Sequence, residues 1–323
     1  MPSLKEIKTR ITSVKGTRKI TSAMKMVASS KLHHAQVAIQ NMLPYSNQLE
    51  HILKSFLIST PDASSEYQMA HAQMKRVALV VFSSNSSLCG GFNNNVIKLM
   101  LQAVEEYHAL GVEDITIYPI GRKVEEKVDK LGLKKGGSFL DLADKPNSED
   151  CRQLAMKLCE QFLHGEVDKV ELIYHHFKSA GSQILQRRTF LPIDLSTEAI
   201  GEENDRDLGS NLATAKAQEY LRKKKAKEAG ERIQGAKIND DFIVEPDLET
   251  VLRALVPKEL HLSVYTALLD SVASEHAARM VAMQAATDNA DELLKELNLQ
   301  YNKSRQAAIT SELLDIVGGS VNN

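Results

Sequence analysis

A long helical pattern without a break occupies the C-terminal part of the chain, from about Pro257 to Val317. No further proline follows within it, and the next glycines are Gly318 and Gly319. Steps of four and three residues pass through one seam, which consists of His276, Met280, Met283, Thr287, Ala290, Leu294, Leu297 and Tyr301. This period is typical of a helix that supercoils around a partner, and such a helix would be roughly 90 Å long.

The strong apolar seam stops before the helical pattern does. After Tyr301 the same steps reach Ser304 and Ala308, while helix-forming residues continue. We therefore expect a helix tip with little apolar surface that is received by another component. We also expect the paired glycines Gly318 and Gly319 to end the helix.

A second long helical pattern opens the chain. Ser3 and Glu6 have the spacing of a capping box at its start. Its apolar stripe is expected to slip near Gly16, so that it consists of Leu4, Ile7, Ile11 and Val14 and then Ile20, Met24 and Val27. Pro44 is expected to kink the helix or to begin a new turn, because proline cannot donate a backbone hydrogen bond.

Two arrangements of the terminal helices are compatible with these seams. In the first, the two helices pair with each other as a long antiparallel coiled coil. In the second, each helix joins a separate subunit. The first arrangement needs no further chain, and we adopt it as the prediction.

Between the two helices, short apolar runs alternate with helical patterns. The strands are predicted at 76–82, 115–120, 170–177 and 183–193, and the helices at 93–110, 123–131 and 148–163. This alternation predicts a small, mostly parallel α/β sheet, and the whole chain is assigned to the α/β class. The predicted domains are an N-terminal coiled-coil helix (1–60), the α/β domain (75–195), an exposed insertion (196–241) and a C-terminal coiled-coil helix (247–319).

The distribution of charge and the number of cysteines limit the classes of function that the chain can have. The net charge is -2, but residues 1–34 carry eight Lys and Arg residues against one acid, Glu6. Such a basic arm is either a solvated face or the complement of an acidic partner.

The three cysteines form no CxxC pair, which is typical of a reducing compartment. No apolar run has the length of a membrane span, and no signal peptide is recognisable at the N-terminus.

The sequence contains no recognisable catalytic or metal-binding constellation. The loop from Ser83 to Asn93 follows a predicted strand and opens a helix, but it has neither a GxGxxG nor a Walker pattern. His175 and His176 are adjacent in a predicted strand and therefore point to opposite faces. We expect no cofactor, no metal and no active site of its own. Two rival functions stay open at this point: a nucleic-acid-binding coiled coil, and an α/β enzyme that uses this loop.

Four sequence stretches, two near each end of the chain, resemble the gamma subunit of F-type ATP synthases, the rotor central stalk. They are LKEIKTRI at 4–11, ITSAMKMVA at 20–28, SEHAARMVAMQAATDNA at 274–290 and YNKSRQAAIT at 301–310. The resemblance implies a coiled coil of the terminal helices with a small Rossmann-like α/β domain outside a hexameric ring of alpha and beta subunits. It implies contacts with the epsilon subunit and a membrane c-ring, no nucleic acid, and attachment through partners to the cytoplasmic face of a bacterial inner membrane.

The resemblance also implies which residues touch partners. Those of the collar, facing acidic loops of beta, are Met24, Lys25 and Arg279. Those of the tip are Arg305, Gln306, Thr310 and Glu312. Those of the foot, facing the c-ring, are Phe242 and Glu245, and Cys89 in the Leu-Cys-Gly stretch completes the set.

The sequence departs from the family pattern in two places. Asn85-Ser86-Ser87 replaces a charged stretch before Leu88-Cys89-Gly90, which leaves the role of that loop open. The insertion lies where photosynthetic relatives carry a redox-active cysteine pair, but residues 196–241 contain no cysteine. Thiol switching through this segment is therefore not expected.

Overall fold

The computed structural model describes residues 3–59, 67, 74–193 and 243–321. The insertion predicted at 196–241 lies outside the described residues. The helices and strands follow in the order α1 (Leu4–Ser59), β1 (Arg76–Phe82), α2 (Phe92–Ala109), β2 (Asp114–Ile120), α3 (Arg122–Leu131), α4 (Leu140–Asp144), α5 (Ser148–Leu163), β3 (Lys169–Ser179), β4 (Ser182–Leu191) and α6 (Leu248–Val321).

The chain divides into two compact units. We call Met1–Ser29 with Arg279–Asn323 the coiled-coil unit, and Ser30–Ala278 the sheet unit. The long helices α1 and α6 each contribute to both units, because each is one continuous helix, of 56 and 74 residues respectively.

In the coiled-coil unit, α1 and α6 pair in antiparallel directions. Ile7 and Ile11 are buried against Leu294 and Leu297. The Arg18 guanidinium contacts Asp291, with 2.5 Å between Nε and Oδ1. Further along α1 and further back along α6, the hydroxyl oxygens of Thr21 and Thr287 lie 2.8 Å apart. The predicted antiparallel pairing is confirmed.

The predicted seam of α6 is confirmed, because each of its residues is buried or half-buried. The predicted slip near Gly16 in α1 is wrong, since Ile20 and Val27 are 62% and 58% exposed. Thr21 and Ala28 are buried instead. Steps of four and three from Leu4 reach both positions without a slip, so the heptad continues through small and polar side chains.

The helix boundaries agree in part with the prediction. Ser3 and Glu6 form the predicted capping box: the Ser3 amide donates to Glu6 Oε2 at 3.0 Å and the Glu6 amide to Ser3 Oγ at 3.3 Å. At the other end, α6 runs to Val321, so the prediction that Gly318 and Gly319 end it is wrong. Glycine inside a helix costs only about 1 kcal/mol relative to alanine, which the rest of a long helix tolerates. α1 also continues through Pro44, although a proline inside a helix costs about 3 kcal/mol.

The sheet unit contains a four-stranded sheet in the order β2-β1-β3-β4. β1 pairs in parallel with β2 and β3, and β4 pairs antiparallel to β3. The predicted strand–helix alternation produces the three parallel strands. The last strand joins them as a hairpin through the short connection after Ser179, so the sheet is mixed.

Helices cover both faces of the sheet. On one face, Val77, Leu79 and Val81 of β1 pack into a core with residues of α2 and α3. On the other face, the Tyr118 hydroxyl of β2 donates to Gln161 of α5 at 2.7 Å. The sheet is therefore buried on both sides, as the continuous apolar run of β1 predicts.

Candidate partner-contact sites

The collar residues all lie in the coiled-coil unit. Met24 and Lys25 are half-buried on α1, and Arg279 on α6 is 8% exposed. Continuing the register of Thr21 opposite Thr287 places Arg279 level with Ser29, about one helical turn from Lys25. The structure therefore brings these three residues into one short segment of the coiled coil.

The N-terminal part of α1 exposes a basic face. Lys5, Lys8, Lys15 and Lys19 are exposed on one side of the helix, and the exposed Arg10 projects from the opposite side. Arg18 differs from them, because it pairs with Asp291 across the coiled coil. A row of exposed cations with one nearby acid, Glu6, creates a positive potential that attracts an acidic surface.

The tip of α6 extends beyond the start of α1. The antiparallel register places Leu4 opposite Ser304, so the segment from Arg305 to Val321 continues alone within the coiled-coil unit for roughly 25 Å. All described side chains from Arg305 to Leu314 are exposed, including Gln306, Thr310 and Glu312. The Thr310 hydroxyl donates to the Gln306 carbonyl within the helix, at 2.9 Å.

The tip is more apolar than expected. Ile309, Leu313 and Leu314 are 47%, 57% and 66% exposed. The apolar seam does stop at the half-buried Ser304, but Ile309 and Leu313, four residues apart, continue on one side of the helix. The expectation of a tip with little apolar surface is therefore wrong.

The foot precedes α6. Phe242 lies outside the described residues, whereas Glu245 is exposed and Ile243 is 90% exposed. Asp247 caps the helix, because the Thr250 amide and hydroxyl both donate to its carboxylate at 2.8 Å. These two hydrogen bonds hold the pKa of Asp247 below its usual value.

The loop from Ser83 to Asn93 is filled by its own side chains. The side-chain nitrogen of Asn93 donates to Ser84 Oγ at 2.8 Å, and it lies 3.0 Å from Cys89 Sγ. Cys89 is only 1% exposed. Its thiol packs inside the loop, whereas the preceding residue, Leu88, is 60% exposed and has a φ of 69°.

The Asn85 side chain forms hydrogen bonds to the first residues of two helices. Its side-chain nitrogen donates to the Leu140 carbonyl at the start of α4, at 2.8 Å. Its side-chain oxygen accepts from the Arg122 amide at the start of α3, at 2.9 Å. Gly121 precedes that amide with a φ of 97°, and a Cβ there would overlap the Ser83 carbonyl. A neutral amide therefore ties this loop to its neighbours.

The described residues include three buried cysteines and no metal-binding cluster. Among them, no group of three or more His, Cys, Asp and Glu side chains is arranged to hold a metal ion. Burial raises the pKa of Cys151 and of Cys159 to about 12, so neither thiol is a nucleophile near neutral pH. Of the helices that the structure describes, none has the length and hydropathy needed to cross a membrane.

Two polar contacts were not anticipated from the sequence. One is the pair of threonines in the coiled coil, which a strict heptad count from Leu4 would have found. The other joins His176 of β3 to Asp270 of α6, with 2.8 Å between Nδ1 and Oδ2. The expectation that His175 and His176 face opposite sides is confirmed, because His175 stacks on Phe92 of α2.

The chain is similar to proteins described as ATP synthase or as its gamma chain. A family model described as ATP synthase matches residues 3–321. The ATP synthase gamma chain of Bacteroides thetaiotaomicron is 53% identical over 321 residues, which cover 99% of this chain and 100% of the relative. That of Flavobacterium johnsoniae is 39% identical over 320 residues, which cover 99% and 98%.

Solved structures share the fold at lower identity. The rotor of the Euglena gracilis mitochondrial ATP synthase is 20% identical with a TM-score of 0.58, and the match covers 95% of this chain and 98% of that one. The Tetrahymena thermophila central stalk with its c-ring gives 24% identity and a TM-score of 0.53 over 83% and 99%. From the family model and the full-length relatives together, the chain belongs to the ATP synthase gamma-chain family.

Proposed function

We propose that the chain is the rotor shaft, or central stalk, of an ATP synthase. In this role it couples ion-driven rotation of a membrane c-ring to ATP synthesis or hydrolysis at the beta subunits. The observation that carries the proposal is the tip of α6, an exposed helix that continues beyond α1 with polar and apolar side chains on its surface. Such a segment fits inside a central cavity that other subunits form around it.

A shaft acts through contacts that differ with its angle. The coiled-coil unit has unlike sides, because α1 exposes a basic face and α6 does not repeat it. Each beta subunit around it then meets a different side. Rotation changes which nucleotide state each beta subunit favours, since a conformational equilibrium shifts only by differential interaction with its states.

The collar supplies an electrostatic part of this interaction. Met24, Lys25 and Arg279 would face acidic loops of beta, and the exposed lysines of α1 add to the positive potential. At the tip, Arg305, Gln306, Thr310 and Glu312 would hydrogen-bond to partner loops at some angles only. The exposed Ile309 and Leu313 would pack against apolar side chains of the subunits that surround the tip.

The remaining contacts with partners would involve the sheet unit, which includes the foot. Glu245, with Phe242 outside the described residues, would face the polar loops of the c-ring, and the epsilon subunit would bind the sheet unit. The buried Cys89 would pack inside its loop and so support the loop's shape, beside the exposed Leu88. The chain would be held at the cytoplasmic face of a bacterial inner membrane through these partners. It would bind no cofactor and no nucleic acid, and would have no active site of its own.

Rotation of a single label tests the proposal directly. All three native cysteines are buried, so the variant Ala109→Cys, at an exposed position at the end of α2, can be labelled selectively. The assembled complex is fixed to a surface by its alpha–beta ring, and a particle is attached to the introduced thiol. ATP should drive rotation in one direction. A label that stays fixed while ATP is hydrolysed would refute the proposal.

A further inference from the structure

Strand β3 holds two adjacent histidines in different environments. His175 lies on the α2 side, where its ring stacks on Phe92 with 4.4 Å between centroids. Burial lowers the pKa of His175 to about 4, so this ring is neutral. His176 lies on the other side of the strand, and its Nδ1 is 2.8 Å from Oδ2 of Asp270 on α6. The second histidine thus joins the sheet to α6 through its side chain.

The contact between His176 and Asp270 is buried. Their side chains are 5% and 1% exposed. A carboxylate is seldom buried to this extent without a polar partner, because removal from water is costly unless hydrogen bonds compensate for it. The hydrogen bond between His176 and Asp270 offsets part of this cost, and it does so while α6 packs on this face of β3.

A second hydrogen bond lies one turn further along α6. The Ser274 hydroxyl donates to the backbone carbonyl oxygen of His175 at 3.2 Å, and Ser274 is fully buried. Asp270 and Ser274 are four residues apart and share one face of the helix. Two successive turns of α6 are thus hydrogen-bonded to two successive residues of β3.

Hydrogen bonds resist movements that apolar packing permits. Burial of apolar surface is non-directional, so two packed elements can slide with little loss of contact area. A hydrogen bond requires a short distance and a nearly straight angle, and a buried polar network is costly to leave unsatisfied. Two such bonds on adjacent turns therefore oppose both sliding and rolling of α6 across β3.

We propose that His176, Asp270 and Ser274 form a pin that transmits torque between the sheet and α6. This inference rests on the proposed rotor function. In that function, load that partners apply to the sheet unit reaches the tip through α6, which continues to it without interruption. The three residues are positioning residues: they touch no nucleotide, and they keep the sheet and the shaft helix turning together.

The test uses the assembled holoenzyme in membrane vesicles, with assembly verified by subunit content. The variant His176→Ala removes a hydrogen-bond partner of Asp270. The variant His176→Asn places an amide donor near the former Nδ1 position. The matched control is His175→Asn, which makes the same change at the neighbouring residue, removes the stack on Phe92 and retains the backbone carbonyl that Ser274 uses.

Two quantities separate torque transmission from stability. The first is the ratio of ions pumped to ATP hydrolysed. The second is the angular fluctuation of a particle on the thiol introduced by Ala109→Cys, while the tip is held in the alpha–beta ring. His176→Ala should lower the ratio and widen the fluctuation several-fold, and His176→Asn should restore most of both. His175→Asn should lower thermal stability but leave both quantities near those of the unaltered enzyme.

A second variant covers the case in which His176→Ala does not assemble. Ser274→Ala removes a neutral hydrogen bond without leaving a buried charge, and it should widen the fluctuation to a smaller extent. Unchanged fluctuation and ratio in the assembled variants would overturn the pin. Absence of rotation in the enzyme without these substitutions would instead overturn the proposed function, so the two failures are distinguishable.

Discussion

The hydroxyl oxygens of Thr21 on α1 and Thr287 on α6 lie 2.8 Å apart inside the seam of the coiled coil. Each hydroxyl also lies near a backbone carbonyl of its own helix, that of Arg18 at 3.1 Å and that of Met283 at 2.8 Å. A hydroxyl has one proton, so one threonine donates to its partner and the other to a carbonyl. A polar pair at one seam layer specifies register, because a shifted pairing would place each hydroxyl against apolar residues.

Valine at these two positions should reveal the coupling between them. We expect Thr21→Val and Thr287→Val each to lower the free energy of unfolding by about 1 kcal/mol, because each leaves a hydroxyl without its cross-helix partner. The double variant should lose less than the sum, since both partners become apolar. Denaturant unfolding of the full chain measures this. The control is Thr12→Val, whose exposed hydroxyl bonds to the Lys8 carbonyl of its own helix. Additive losses would show that the pair is not coupled.

The buried cysteines should be inert toward alkylation in the assembled enzyme. Burial raises the pKa of Cys151 and Cys159 to about 12. At pH 8 only about one in ten thousand such thiols is ionised, and the thiolate is the reactive form. We expect iodoacetamide to modify neither residue until the chain is denatured, whereas the thiol introduced by Ala109→Cys is labelled at once. Mass analysis of the labelled peptides checks this, and rapid native labelling at 151 or 159 would contradict it.

Glu171 should contribute to stability at neutral pH and lose its contribution in acid. Burial by itself raises the pKa of its carboxyl, but hydrogen bonds outweigh burial and the net pKa is lowered from 4.5. The Arg187 Nε donates to it at 2.6 Å and the Lys169 Nζ lies 2.9 Å away. A depressed carboxyl pKa stabilises the fold above the unfolded value, and this stabilisation disappears as the pH falls from 4.5 through the folded value.

The variant Glu171→Gln should therefore be less stable at pH 7 by about 2 kcal/mol, because a buried charged acceptor is lost. Its stability should also change less between pH 5 and acid than that of the unaltered chain. Denaturant unfolding across this pH range measures both effects. The control is Glu113→Gln, which removes an exposed carboxylate 3.6 Å from Lys75. A parallel pH profile for Glu171→Gln would show that Glu171 titrates normally.

The sequence predicted the helices and strands better than the contacts between them. β1 has the predicted bounds because a continuous apolar run that is followed by turn residues has few alternatives. The path of the α1 stripe was missed because Ile20 and Val27 are apolar but exposed, while the buried positions hold Thr21 and Ala28. Periodicity follows hydrophobic residues, so it fails where some of them lie on the exposed face of a helix.

Contacts between distant parts of the chain required the fold itself. His176 and Asp270 are separated by 94 residues, and neither belongs to a recognisable motif. The hydrogen bonds of Asn85 likewise depend on where α3 and α4 begin. The collar and tip residues were predicted from the family resemblance alone, because no pattern in a helical sequence distinguishes a residue that contacts a partner from one that is solvated.

A charge added at the collar should impair coupling more than assembly. Met24 is half-buried beside Lys25. We expect Met24→Lys to strengthen the attraction to acidic loops of beta, and so to lower the ratio of ions pumped to ATP hydrolysed. Met26→Lys is the matched control, because Met26 is 69% exposed and projects about 200° around the helix from Met24. Equal pumping ratios in the two variants would place the collar elsewhere.

Alanine substitutions at the tip of α6 test whether its polar side chains meet a partner. Arg305 and Gln306 project about 100° apart and can reach two different surfaces. The Thr310 hydroxyl donates its proton to the Gln306 carbonyl, so toward a partner it remains an acceptor. A hydrogen bond made at only some rotary angles contributes about 1 kcal/mol, and more where one partner is charged. We therefore expect Gln306→Ala or Thr310→Ala to lower ATPase turnover several-fold, and Arg305→Ala to lower it further.

Asn302→Ala provides the matched control for these tip variants. Asn302 is an exposed polar residue of the same helix, but it lies where the register still places α1 alongside α6. Its replacement should leave turnover unchanged in the reconstituted complex, which rules out a general effect of lost polar surface. Circular dichroism of each full-length variant verifies that the helix is retained. If the tip residues are only solvated at a free helix end, all four variants will hydrolyse ATP at the rate of the unaltered enzyme. That result would show that the tip contacts no partner.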